Sequence, residues 1–79
     1  MLTRQRLEPL IVEALRSAGG SLSLKEINKF VWENHQDELK RSGDFFYIWQ
    51  YELRWAGEAL DKAGRISRGP PRGIWHLKR

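Results

Sequence analysis

Leu60-Asp61-Lys62-Ala63-Gly64-Arg65-Ile66-Ser67-Arg68-Gly69-Pro70-Pro71-Arg72-Gly73-Ile74-Trp75-His76-Leu77 is the stretch on which the fold turns. Leu53, Ala56, Leu60 and Ala63 recur at helical spacing as the chain enters it, and Gly64 stops that helix. Arg65 to Arg68 then reads as a short strand, Gly69 to Gly73 as a turn, and Ile74 to Leu77 as the returning strand. On a two-residue alternation Ile74 and His76 share one face of that strand, and Trp75 and Leu77 the other. No acidic residue follows Asp61.

That last observation carries the charge argument. The chain has 79 residues and a formal net charge of +4. Residues 1–61 hold eight Lys/Arg against ten Asp/Glu. Residues 62–79 hold Lys62, Arg65, Arg68, Arg72, Lys78 and Arg79 with no acid, a local charge of +6. A mildly acidic body with a concentrated basic end is the pattern of a surface that meets a polyanion.

Working back from the hairpin, the first helix is expected from Thr3 or Glu8 to Ala18, with Leu7, Leu10, Ile11, Ala14, Leu15 and Ala18 as its apolar stripe. Pro9 suits only a first turn, so the residues before it read as a loose lead-in. Gly19-Gly20 ends this helix, and Ser21-Leu22-Ser23 is a short extended segment, the expected third strand of the sheet. Ser23 and Glu26 have capping-box spacing, which starts a second helix at Leu24; Leu24, Ile27, Phe30 and Val31 mark its buried side, and it fades near Asn34-His35. Gln36 to Asp44 is polar, with Leu39 as its anchor and room for one helical turn from Asp37 to Arg41. Asp44 is the expected N-cap of a third helix running from Phe45 to Ala63.

At about 100° per residue, Phe46, Trp49, Ala56 and Leu60 fall on the side of Leu53 and form the core face. Ile48, Trp55 and Ala59 form a second apolar line on its flank. Tyr47, Gln50, Tyr51, Arg54, Glu58 and Asp61 share the outer side. Its front half can hydrogen-bond bases or phosphates, while Glu58 and Asp61 at the back would repel phosphate. Six aromatic residues between Phe45 and Trp55 raise an aromatic cage as a second use, but most fall on apolar faces, so core packing is the better reading.

The remaining composition is mostly exclusion. There is no cysteine, and no apolar run approaches a membrane span. The N-terminus lacks a signal-peptide core, so the expected setting is the cytoplasm. His35 and His76 are isolated, and no metal or other cofactor is expected. The serines lack a paired base, and Glu38-Leu39-Lys40 matches a nuclease fragment over three residues only. The expectation is a binding module without catalysis.

Taken together, the order of elements predicts one α+β domain over residues 1–79, a winged helix-turn-helix of three helices and a small antiparallel sheet ending in a β-hairpin wing. The chain also resembles the N-terminal winged-helix domain of Mrr-type restriction endonucleases. The residues that carry the resemblance are Leu53-Arg54-Trp55-Ala56, Leu60, Lys62-Ala63-Gly64, Ile66, Arg72-Gly73 and Trp75-His76-Leu77. Gly19-Gly20, Ser23 to Ile27 and the apolar first helix extend it over residues 7–78. The resemblance implies the DNA-reading part of a modification-dependent restriction system, acting on foreign and often methylated DNA beside a separate nuclease domain. The expected contacts to double-stranded DNA are Tyr47, Gln50, Tyr51 and Arg54 on the third helix, with Arg65, Arg68, Arg72 and Lys78 at the hairpin. Six phosphate contacts would give a log–log salt slope near about −5. The alternative is a protein-interaction or homodimerisation module, which Trp32 and Phe45-Phe46 favour if they leave apolar surface exposed; RNA is a third partner compatible with the charge.

Overall fold

The computed structural model of the protein describes residues 3–78. Arg79, counted above in the basic end, lies outside the described residues. Two helix stops set the frame. After α1 (Arg4–Ser17), Gly20 N–H bonds Leu15 C=O at 2.7 Å and Gly19 N–H bonds Arg16 C=O at 3.3 Å. The same pair of bonds recurs where Arg65 N–H reaches Leu60 C=O and Gly64 N–H reaches Asp61 C=O. Both ends use a glycine at positive φ, Gly19 at 86° and Gly64 at 77°, which spares the last carbonyls of each helix from going unpaired.

Between these stops the elements run β1 (Ser21–Ser23), α2 (Leu24–Asn34), α3 (Gln36–Lys40), a 3₁₀ turn (Gly43–Tyr47) and α4 (Trp49–Lys62). The hairpin strands β2 (Ile66–Ser67) and β3 (Ile74–Leu77) follow. The molecule is therefore α+β, with four α-helices among the described residues rather than the three expected. The additional helix is the short polar turn around Leu39, which is fully buried. The capping box at Ser23 and Glu26 is formed as the spacing predicts, with bonds of 3.1 and 2.9 Å.

The strand order is β1-β3-β2, antiparallel throughout. β3 pairs Leu22 with Trp75 on one side and Ile66 with Leu77 on the other. This register puts Leu22, Trp75, Leu77 and Ile66 on the core face and Ser21, His76 and Ser67 on the outer face. His76 crosses that outer face: Nδ1 lies 2.7 Å from Ser21 Oγ, and Nε2 lies 3.0 Å from the Pro70 carbonyl. The ring thus ties β1 to the hairpin turn. The core itself packs α1 across α4 and α2, with Leu7, Ile11, Leu15, Ile27, Val31 and Leu53 fully buried.

Two expectations are corrected here. Of the two expected starts of the first helix the earlier one forms, with Thr3 as N-cap and Arg4 as first residue, so Pro9 lies inside α1 and the loose lead-in is absent. Thr3 caps the helix by accepting from Arg6 N–H, Leu7 is fully buried, and Arg4 and Arg6 reach Glu52 and Glu38 at 2.6 and 2.9 Å. These ties hold the first turns in place despite the proline. The expected third helix from Phe45 to Ala63 is broken: residues 43–47 form the 3₁₀ turn, and Ile48 (φ −125°, ψ 3°) separates it from α4. Asp44 caps nothing. The break lets Phe46 lie 6.2 Å, centroid to centroid, from Trp32 of α2.

Candidate functional site

Helix α4 is amphipathic, so burying Trp49, Leu53, Ala56 and Leu60 turns Gln50, Tyr51 and Arg54 outward. Tyr47 stands at the end of the preceding 3₁₀ turn and is, among the described residues, the most exposed large apolar one, at 82 %. Tyr51 is 61 % exposed and Trp55 42 %. The position of Trp55 corrects its assignment to the packing flank. Its indole meets the Tyr51 ring edge-on at 6.2 Å, and the Arg4 guanidinium lies 5.9 Å over it. Ile48, on the same expected line, is also exposed.

The hairpin reaches α4 through Trp75 and Arg68. Trp75 is buried against Gly57, where no larger residue has room: a Cβ there would overlap Cη2 and Cζ3 of the indole. Arg68, at the start of the turn, bonds Asp61 of α4 through Nε at 3.2 Å. Tyr51, Arg54, Trp55, Glu58 and Arg68 consequently line one cleft of about 390 Å³. Arg72 is exposed on the same turn, whose base is tied to the body by Leu24 N–H bonding Gly73 C=O at 3.0 Å.

Arg65 and Lys78 do not share that cleft. Lys78 N–H bonds Arg65 C=O at 3.0 Å, and both side chains border a separate depression with Arg16, Val12, Gly64 and Leu77. The eight expected contact residues thus divide. Tyr51, Arg54 and Arg68 are brought together with Tyr47, Gln50 and Arg72 on adjoining segments, while Arg65 and Lys78 group with Arg16 of α1. Among the described residues no ion pair engages Arg54, Arg65, Arg72 or Lys78, whereas Asp61 and Glu58 are matched by Arg68 and by Lys62 at 3.5 Å.

Trp55 and Arg16 were not among the expected contacts, and Glu58 was placed on this outer side by helical spacing only as a group that repels phosphate. The i, i+4 spacing of Tyr51 and Trp55 on one helix was the available signal for the first. Arg16 joins Arg65 and Lys78 through a tertiary contact that no spacing reports. Among the described residues there is no grouping of three or more His, Cys, Asp or Glu able to hold a metal ion, and no helix is long and apolar enough to cross a membrane.

Compared with known proteins, the chain matches no family model, no curated protein and no solved structure.

Proposed function

We propose that the chain is a winged helix-turn-helix that binds double-stranded DNA, with α4 in the major groove and the hairpin as the wing on the backbone. The observation that carries this reading is the common cleft: Arg54 from α4 and Arg68 from the hairpin line the same surface, beside Tyr51. The order helix, strand, helices, hairpin, with β1 completing the hairpin's sheet, supports it. So does the concentration of basic charge after Asp61.

In this reading the front of α4 leads into the groove, as recognition helices do. Gln50 and Arg54 address base edges; Arg68 and Arg72 address phosphate, with Tyr47 and Tyr51 flanking. The resemblance to Mrr-type domains extends the proposal to a cytoplasmic restriction setting, with methylated or unmodified duplex as target and a nuclease domain as a fused or separate partner. Arg65 and Lys78, grouped with Arg16, add to long-range attraction rather than to the contact.

Titrating labelled duplex at several salt concentrations tests this. The two cations assigned to phosphate, Arg68 and Arg72, correspond to a log–log slope of about −2, shallower than the about −5 of six contacts. Arg68→Ala and Arg72→Ala should weaken all sequences alike, whereas Gln50→Ala and Arg54→Ala should change sequence preference. Undetectable binding at low salt would refute the reading.

A protein-contact function draws support from one observation, the exposed strip Tyr47, Ile48, Tyr51 and Trp55. Trp32, Phe45 and Phe46 lend it less, since they are half-buried against the core. Concentration-dependent dimerisation in sedimentation, with no DNA binding, would decide for it.

A further inference from the structure

Holding phosphate needs cations, yet the α4–hairpin cleft also exposes two aromatic rings and a carboxylate. Tyr51 and Trp55 meet at an interplanar angle of 70°, forming a corner in which a flat ligand stacked on one ring turns its edge toward the other. The indole is oriented in advance, because the Arg4 guanidinium above it is itself fixed to Glu52 at 2.6 Å. Glu58 lines the same cleft and offers only acceptor oxygens. Arg54 and Arg68 complete the lining. A cationic ligand would meet two arginines there, and an aliphatic one would leave the carboxylate unused. A planar group with an amino donor, attached to a phosphate, engages every part.

We propose that this cleft receives one unpaired base of DNA. The inference rests on the duplex-binding reading and names the ligand of its central cleft. The base stacks on an exposed ring, its exocyclic amino group donates to Glu58, and its flanking phosphate lies against Arg68, while Arg54 keeps to a neighbouring base edge. A base stacked within a continuous duplex cannot enter, since its faces are already covered. A bulged or mismatched nucleotide can. Cytosine, adenine and guanine carry the amino donor, and thymine does not.

The test is fluorescence anisotropy with the full chain and one labelled duplex, either fully paired or carrying a single bulged cytosine or thymine. The bulged-cytosine duplex is expected to bind roughly 5- to 150-fold more tightly than the paired one, the range of a single aromatic stacking contact. Trp55→Ala should bring that ratio near one, Trp55→Phe should retain most of it, and Glu58→Gln should remove the preference for cytosine over thymine. Circular dichroism of each variant separates loss of the cleft from loss of the fold. Equal affinity of the wild-type chain for paired and bulged duplexes overturns this inference and leaves duplex binding standing. No binding to either overturns both. A folded Trp55→Ala that keeps the full preference shows that the base sits elsewhere, which also overturns it.

Discussion

Gly57 shows how much one position can decide. Alanine is favoured over glycine inside a helix by about 1 kcal/mol, so Gly57 is locally the wrong residue for α4. The Trp75 indole explains it, because a Cβ would overlap the ring. Forcing an extra carbon into a filled site costs about 1–3 kcal/mol, and a rigid, buried indole has little room to yield. Gly57→Ala should therefore be net destabilising by about 1–2 kcal/mol, with an altered near-ultraviolet circular dichroism signal from Trp75; urea unfolding measures the first. A gain in stability would mean that the hairpin does not rest on Gly57. Asp61 poses a second residue-scale question. It holds Arg68 at 3.2 Å, and thereby competes with any anion for that guanidinium. Asp61→Asn should strengthen duplex binding severalfold, more than Glu33→Gln, which removes the same charge outside the α4–hairpin cleft. Equal effects in anisotropy would show that only net charge matters.

At the scale of elements, α1 is the clearest contest between local preference and packing. A proline inside a helix removes one backbone bond and costs about 3 kcal/mol, which favours starting the helix near Pro9. Burial of Leu7 offsets this by about 1.5–3 kcal/mol, and the exposed pairs of Arg4 and Arg6 add at most about 1 kcal/mol each. Packing and capping together win. It follows that Pro9→Ala should stabilise the protein by about 1–3 kcal/mol, seen as a higher urea midpoint at unchanged slope; a loss would mean that Pro9 serves the fold in another way. The break at Ile48 has the same origin. Helical periodicity continues smoothly through Phe45 to Trp49, but the attraction of Phe46 to Trp32 comes from α2, a segment outside any local window.

Across the whole molecule, α1 is joined to the α2–α3 region by polar ties as well as by the core. Arg6 bonds both oxygens of Glu38, at 2.9 and 3.3 Å, and His35 bonds Glu13 at 2.8 Å. The guanidinium holds the Glu38 carboxyl below the ordinary carboxylate value, chiefly through the hydrogen bond. Glu26 is lowered as well, by the Ser23 backbone and hydroxyl of the capping box. A group whose pKa is depressed by folding stabilises fully above its unfolded value and loses that contribution as pH falls through the folded one. Stability should accordingly decline as pH drops below about 4.3, the ordinary glutamate value. Glu38→Gln should be less stable at neutral pH and show a flatter acid limb in thermal melts. An unchanged acid limb would assign the loss to other carboxylates.

What the sequence determined by itself was local: the capping box at Ser23, the glycine stops at Gly19 and Gly64, the three strand segments, the core face of α4 and the basic end of the chain. Each depends on neighbours within about one or two helical turns or on the alternation of a single strand, so periodicity and spacing report them. Tertiary structure alone decided the rest. It kept Pro9 inside α1, cut the helix at Ile48, gave Gly57 its purpose under Trp75, and exposed Trp55 after local periodicity had assigned it to packing. It also divided the basic residues into two groups, because the direction of each arginine depends on which element lies beside its strand. Arg68 meets Asp61 of α4, while Arg65 lies near Arg16 of α1. The physical reason is common to all of these. They are contacts between segments distant in sequence, whose energy exists only once the core has brought the segments together.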